Sequence, residues 1–123
     1  MNAVKPHVLV VDDEFLISNL LTAYVEEMGL QVCGVATTAD DAARLAREHR
    51  PAVVLMDVRL QGDKDGVDAA LAIHDTVGSK VIFITGSSEP ATMARISLDH
   101  PSSVLFKPVT EQQVQQAIAA ALA

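Results

Sequence analysis

Five polar residues stand at the ends of short apolar runs, and their types suit the binding of a divalent cation and a phosphoryl group. They are Asp12, Asp13, Asp57, Thr85 and Lys107. Such an apolar run is typical of a buried strand, and in an open parallel sheet ligands bind in the crevice beyond the carboxyl ends of the strands. We therefore expect three carboxylates, a hydroxyl and an ammonium to converge at one edge of a sheet.

The converging carboxylates indicate magnesium and phosphoryl chemistry. Two carboxylates about 4 Å apart repel each other by roughly 4 kcal/mol at an effective dielectric constant of about 20, so three of them together require a cation. Mg²⁺ prefers oxygen ligands and commonly binds through one or two carboxylates plus phosphate oxygens. The four histidines and the one cysteine show no zinc-ligand spacing. A carboxylate is also a feasible nucleophile toward a phosphoryl group, whose oxygens Lys107 and the metal would neutralise.

Composition and charge predict one soluble domain. The chain has 123 residues, of which 50% are hydrophobic, and a formal net charge of -7. A domain commonly holds ~100–150 residues, so we expect a single domain over 1–123 with its core at about 7–122. The acidic charge argues against nucleic-acid binding, which needs clustered Lys and Arg. No apolar run approaches the ~18 residues of a membrane span, and residues 1–7 lack a signal-peptide pattern, which predicts a cytoplasmic protein without membrane contact.

Strand-like and helix-like segments alternate along the chain. Short apolar runs predict the strands, and apolar positions spaced i, i+3 and i+4 predict the helices, two of which have capping signatures at Thr38 to Asp41 and Thr110 to Gln113. Strands are predicted over 8–11, 31–37, 52–56, 80–84 and 104–106. Helices are predicted over about 17–28, 38–49, 66–77, 90–100 and 110–122.

Nearly all-apolar strands that alternate with helices indicate a parallel sheet covered on both faces by right-handed crossovers. Five such units make an α/β doubly wound fold with five strands and five helices. We predict the strand order 2-1-3-4-5 of flavodoxin-like proteins. In that order the first and third strands are neighbours, so Asp12, Asp13 and Asp57 would lie side by side.

These residues resemble those of a known family, the receiver domains of two-component response regulators. The resemblance runs from about Val8 to Leu122 and rests on four separated motifs in the expected order. They are Asp12-Asp13-Glu14, the strand-end Asp57, Thr85-Gly86 and Lys107-Pro108. The Phe83-Ile84-Thr85-Gly86 stretch is similar to a receiver subgroup that carries Phe-x-Thr-Gly at this turn.

The resemblance implies a role for each residue of the site. Asp57 would be the phosphoacceptor, Asp13 a direct ligand of Mg²⁺, and Asp12 a residue that helps to hold the ion, often through water. The backbone carbonyl of Arg59 would complete the ligands that the protein supplies. Lys107 would neutralise the phosphoryl group.

The resemblance also implies a switch. Thr85 would move toward the phosphoryl group, and the surface of the fourth helix, fifth strand and fifth helix would rearrange for an output partner. Many receivers carry an aromatic residue three positions before the lysine that turns inward with the threonine; Val104 occupies this position and departs from that coupling. Phe106 is predicted to be a core residue. Pro108 would lie at the same output switch, in a cis peptide bond with Lys107.

Three residues are predicted to modulate the lifetime of the phosphoryl group, because they flank the path of the attacking water. Arg59, two positions after the phosphoacceptor, could shield the phosphoryl group, whereas the short Ser87 would leave its own side open. Gly86 has no side chain to block access, and it is equally well explained as an ordinary turn glycine.

The partners follow from the resemblance. A histidine kinase or a histidine phosphotransfer protein would donate the phosphoryl group, and an output protein that the sequence does not identify would bind the switched form. We expect a monomer or weak homodimer. The chain would be either a single-domain regulator or a receiver cut from a larger regulator or hybrid kinase.

Two other functions are less well supported. An Asp-nucleophile phosphohydrolase of the haloacid-dehalogenase type would have a second acid two positions after Asp57, where this chain has Arg59. A flavin or nucleotide carrier would have glycines and backbone amides at the turn after the first strand, which is acidic here. We therefore expect no enzyme activity beyond the chain's own phosphorylation and dephosphorylation.

Overall fold

Strands and helices alternate along the chain, as the sequence pattern predicts. The computed structural model describes residues 6–86 and 89–123, and all elements below lie in these ranges. The strands are β1 (His7–Val11), β2 (Gln31–Ala36), β3 (Val53–Asp57), β4 (Lys80–Thr85) and β5 (Ser103–Phe106). The helices are α1 (Phe15–Glu27), α2 (Ala39–His49), α3 (Gly66–Thr76), α4 (Pro90–Leu98) and α5 (Glu111–Leu122).

The strands form one parallel sheet in the order β2-β1-β3-β4-β5. This order confirms the predicted doubly wound, flavodoxin-like fold. The central strand β3 is buried along its whole length, which explains why it carries Val53-Val54-Leu55-Met56 without polar alternation.

Each face of the sheet has its own core. Val54 and Met56 point to the face that is covered by α2, α3 and α4, whereas Val53 and Leu55 point to the face that is covered by α1 and α5. The helix α4 contributes least, because Ile96 is its one buried residue. Burial of a large apolar side chain stabilises a fold by roughly 1.5–3 kcal/mol, so α4 is held to the sheet less firmly than the other helices.

Both predicted capping signatures are confirmed. Thr38 Oγ1 accepts a hydrogen bond from the backbone N–H of Asp41 over 3.1 Å at the start of α2. At the start of α5, Thr110 Oγ1 accepts from the backbone N–H of Gln113 over 3.1 Å, and Gln113 Oε1 accepts from the backbone N–H of Thr110 over 2.9 Å. Each cap is worth about 1 kcal/mol, and together they fix where the two helices begin.

Several predicted strand boundaries are shifted by one residue. Asp57 and Thr85 are the last residues of β3 and β4 rather than the first residues beyond them. The pairing continues that far because Asp57 lies opposite Ile84 and Thr85 lies opposite Phe106. The two polar side chains are therefore held by the sheet itself.

The prediction that Phe106 is a core residue is wrong. Its side chain is 45% exposed. β5 is an edge strand, and Phe106 lies on the same face as Val104, two residues earlier, which is the face that α4 covers. Because α4 buries little beyond Ile96, the end of β5 remains open to solvent on this side.

Across the part of the chain that the structure describes, we find no helix that combines the length and the apolar character needed to cross a membrane.

Candidate functional site

The polar residues predicted from the strand ends come together at the carboxyl edge of the sheet. Asp12 follows β1, Asp57 ends β3, Thr85 ends β4 and Lys107 follows β5. The parallel strands β1, β3, β4 and β5 are neighbours in this order. The four side chains therefore form a row across one edge, and the backbone N–H of Lys107 donates to the carbonyl oxygen of Thr85 over 2.8 Å.

The two carboxylates of this row and that of Asp13 are close enough to hold one metal ion. Asp12, Asp13 and Asp57 each offer a carboxylate oxygen, and these oxygens lie within 4.8 Å of one another. Asp12 and Asp57 are buried and Asp13 is half-buried. The backbone N–H of Glu14 donates to Asp12 Oδ1 over 2.8 Å and fixes that carboxylate in place. An all-oxygen set of this kind suits Mg²⁺ rather than Zn²⁺.

Lys107 supplies the positive charge of the site. Its Nζ lies 3.3 Å from Asp57 Oδ1 and 3.4 Å from Asp12 Oδ2. The peptide bond between Lys107 and Pro108 is cis, as the sequence resemblance implies. Burial alone would lower the pKa of Lys107, but the attraction of Asp57 and Asp12 outweighs burial and raises it, so the side chain is an ammonium at neutral pH.

The acidic groups are electrostatically unfavourable without a cation. Burial, and next the charge of Asp12, raises the pKa of Asp57 from 3.8 to about 6, although Lys107 opposes this shift. Burial likewise raises the pKa of Asp12 against the opposing effects of the Glu14 N–H and Lys107. The charge of Lys107 therefore does not fully offset the cost of burying two neighbouring negative charges. A bound divalent cation would supply the missing positive charge.

The row opens into a cleft of about 470 Å³. Arg59 and Gly86, two of the predicted modulating residues, line this cleft. The third, Ser87, lies outside the described residues. Of the predicted output residues, Val104 is half-buried against the core on the α4 face, and Pro108 is exposed just after the cleft lysine.

Three polar residues of the cleft were not predicted from the sequence. Asp65 precedes α3, Glu89 precedes α4, and Thr92 lies in the first turn of α4. Their signal in the sequence is weak, because polar residues at the start of a helix are most simply explained as caps. Asp65 is in fact such a cap: its Oδ1 accepts hydrogen bonds from the backbone N–H groups of Val67 and Asp68 over 3.0 and 3.1 Å.

A glycine holds the loop between β3 and α3 against the site. The backbone N–H of Gly66 donates to the carbonyl oxygen of Val58 over 2.7 Å. A Cβ atom at Gly66 would overlap the backbone carbonyl of Asp57, so only glycine fits this position. The start of α3 is thereby fixed against the backbone of the strand-end Asp57.

A family model for the response regulator receiver domain matches residues 8–119. The chain belongs to this family. Receiver domains act in two-component signal transduction. Membership in this family agrees with the acidic residues and the lysine found at the carboxyl edge of the sheet.

Individual relatives of this receiver domain are response regulators. The phyllosphere-induced regulator PhyR of Methylorubrum extorquens is 34% identical over 116 residues, which cover 94% of this chain and 43% of that protein. The transcriptional regulatory protein PdtaR of Mycobacterium tuberculosis is 31% identical over 116 residues, which cover 94% of this chain and 56% of that protein. The chain thus spans about half the length of these relatives.

Solved receiver structures share the whole fold. The signal receiver domain of a modulated diguanylate cyclase from Desulfovibrio desulfuricans G20 superposes with a TM-score of 0.91 at 33% identity, covering 97% of this chain and 94% of that one. The receiver domain of PhyR from Erythrobacter litoralis gives a TM-score of 0.85 at 31% identity, covering 96% of this chain and 90% of that one.

Proposed function

We propose that this receiver domain accepts a phosphoryl group on Asp57 from a histidine kinase or a histidine phosphotransfer protein and then changes its protein contacts. The observation that carries the proposal is the position of Asp57. Its buried carboxylate ends the central strand, lies 3.3 Å from the ammonium of Lys107, and shares a cluster with Asp12 and Asp13 at the floor of an open cleft. This grouping of a buried carboxylate with an ammonium and two further carboxylates supports the proposal.

Mg²⁺ is the proposed cofactor. Asp12, Asp13 and Asp57 would hold it together with the backbone carbonyl of Arg59, whose side chain is exposed at the rim of the cleft. The ion would supply positive charge to the oxygens of the transferred group. The uncompensated carboxylates, with the pKa of Asp57 raised to about 6, support this assignment.

In the proposed transfer, one oxygen of Asp57 forms a bond to phosphorus while the bond between phosphorus and the donor histidine nitrogen breaks. Lys107 then pairs with the new phosphoryl oxygens. The aspartyl phosphate carries about 1.5 to 2 negative charges in place of one, so the ion pairs at the strand edge must rearrange. Thr85, at the end of the neighbouring strand and in the lining of the cleft, would donate its hydroxyl to that group.

The proposed docking surface for the phosphodonor is the outer face of α1. Phe15 and Leu16 are each 75% exposed, at the start of the helix that follows Asp12 and Asp13. Beside them, an apolar pocket of about 330 Å³ reaches from α1 to Lys107. Exposed large apolar side chains grouped in this way mark a contact surface for protein, and this surface borders the cleft that a donor histidine must enter.

The phosphoacceptor assignment predicts the result of a labelling experiment. With acetyl phosphate and Mg²⁺, we expect the intact mass to show one added phosphoryl group, and we expect Asp57→Ala to remain unlabelled. The matched control is Asp75→Ala, which removes an exposed carboxylate from α3 and should be labelled like the unchanged protein. Labelling of Asp57→Ala to the same extent would refute the assignment.

The metal assignment predicts a loss of magnesium affinity. Asp13→Ala removes one of three clustered carboxylates, so the Mg²⁺ dissociation constant should rise roughly tenfold or more. Titration of Mg²⁺ against backbone amide shifts would measure it. Asp63→Ala removes an exposed carboxylate that does not line the cleft and is the control. Equal titration curves for Asp13→Ala and the control would remove Asp13 from the ligands.

A further inference from the structure

We propose that the ion pair between Arg95 and Asp65 couples the phosphorylation site to α4. This proposal rests on the proposed function and concerns the regulation of the same site. It assigns a task to two residues that the sequence patterns do not single out, one in α4 and one at the start of α3.

The pair has the geometry of a specific contact rather than of a loose surface pair. Arg95 Nη1 donates to Asp65 Oδ2 over 2.7 Å, and Nη2 donates to Asp65 Oδ1 over 3.1 Å. Nη2 also lies 3.4 Å from Asp68 Oδ1. Two parallel hydrogen bonds between a guanidinium and a carboxylate fix orientation as well as distance. Arg95 therefore holds α4 to the start of α3.

Asp65 is rigidly connected to the site. Its carboxylate caps α3, and the next residue, Gly66, lies against the backbone carbonyl of Asp57 and donates its N–H to Val58. Asp65 also lines the phosphorylation cleft, together with Arg59. Metal binding at the Arg59 carbonyl would rearrange the loop after Asp57. That rearrangement would move the Asp65 carboxylate, to which Arg95 is bound.

The helix α4 is suited to respond. Its packing on the sheet rests on the buried Ile96 and the partly buried Met93, while Leu98 is 77% exposed. Thr92, in its first turn, lines the same cleft as Asp65. A helix with so little buried apolar surface can shift at low cost, so a bidentate ion pair on one side can decide its position.

The aromatic route that many receivers use is missing from this chain. Val104 stands at the position of the inward-turning aromatic, and Phe106 lies exposed at the end of β5. Val104 has no ring, and the ring of Phe106, opposite Thr85, is exposed rather than turned into a pocket at the α4 face. A link from Asp57 through Gly66 and Asp65 to α4 provides an alternative to this aromatic coupling.

The test uses magnesium and beryllofluoride as the phosphoryl probe and follows the protein by NMR. The amide of Gly86 reports on the cleft, and the side-chain methyls of Met93 and Ile96 report on α4. Beryllofluoride should shift both sets in the unchanged protein. In Arg95→Ala the Gly86 shift should persist, whereas the shifts of Met93 and Ile96 should fall by about half or more, since the loop no longer holds the helix.

A second variant separates coupling from folding. Asp65→Asn removes the charge that Arg95 binds but keeps the cap of α3, because asparagine caps helices as well as aspartate does. It should reproduce the loss of the α4 response. The matched control is Arg44→Ala, which breaks exposed ion pairs to Asp41 and Glu48 within α2 and should leave both responses intact.

The outcomes distinguish this proposal from the proposed function. An undiminished α4 response in Arg95→Ala and Asp65→Asn, with the Gly86 response also present, would overturn the coupling and leave the phosphoacceptor role standing. Absence of any response at Gly86 in the unchanged protein would overturn both. Loss of the α4 response in both variants, with the cleft response retained, is the result that supports the coupling.

Discussion

Replacement of Asp57 by asparagine should raise the free energy of unfolding of the metal-free protein at neutral pH by about 1 to 3 kcal/mol. Burial and the charge of Asp12 raise the pKa of Asp57 to about 6, so its ionised form is unfavourable in the fold. Asparagine fills nearly the same volume without the charge. Lys107 keeps a partner, because its ammonium also lies 3.4 Å from Asp12.

The same variant should change the dependence of stability on pH. Between the ordinary pKa of 3.8 and about 6, folded Asp57 holds a proton that the unfolded chain has released. The contribution of Asp57 to the free energy of unfolding therefore falls as pH rises through this window and is constant above it. Asp57→Asn should remove that part of the fall.

Urea unfolding of both proteins at several pH values, with a chelator present, would measure the difference. The control is Asp63→Asn, which alters an exposed loop carboxylate and should leave the pH profile unchanged. Identical profiles for Asp57→Asn and the unchanged protein would show that Asp57 is not an unfavourable buried charge. Addition of Mg²⁺ should stabilise the unchanged protein and have a smaller effect on Asp57→Asn, which offers a weaker metal ligand.

The grouping of the polar strand-end residues could be predicted because it depends on local patterns and one topological rule. Each of Asp12, Asp57, Thr85 and Lys107 closes an apolar run, and parallel strands align such endings at one edge. Nothing about side-chain packing is needed for that conclusion. The predicted order of the strands then decides which endings are neighbours.

The residues around this row could not be predicted in the same way. The pairing of Arg95 with Asp65 joins the last turn of α4 to the residue before α3, 30 residues apart, and no periodicity encodes it. The position of Phe106 was mistaken because exposure at an edge strand depends on how far the covering helix extends. These features are set by loop lengths and helix placement, which single-residue patterns do not report.

Asp99 illustrates the same limit for burial. It follows α4 and is 3% exposed, and neither carboxylate oxygen has a hydrogen-bond partner among the described residues. Burial raises the pKa of this carboxyl, although His74 and His100 oppose the shift. An acidic residue between a helix and a proline predicts a solvated turn, so only the tertiary structure shows that this one is enclosed.

Replacement of Gly66 by alanine should lower the free energy of unfolding by about 3 kcal/mol, the upper part of the range for overpacked sites. The added Cβ would meet the backbone carbonyl of Asp57, which cannot rotate away as the end of a flexible side chain could. Either β3 or the start of α3 must move. Thermal and urea unfolding would measure the loss.

Gly86→Ala is the matched control for this substitution, because a Cβ at Gly86 meets no atom of the described residues within 4 Å. It should cost little stability. If Gly66→Ala folds, it should also be phosphorylated more slowly by acetyl phosphate, since the collision displaces the backbone of Asp57, the proposed phosphoacceptor. Equal stability of the two alanine variants would contradict the close packing of α3 against Asp57. That packing holds Asp65, the partner of Arg95, next to the backbone of Asp57.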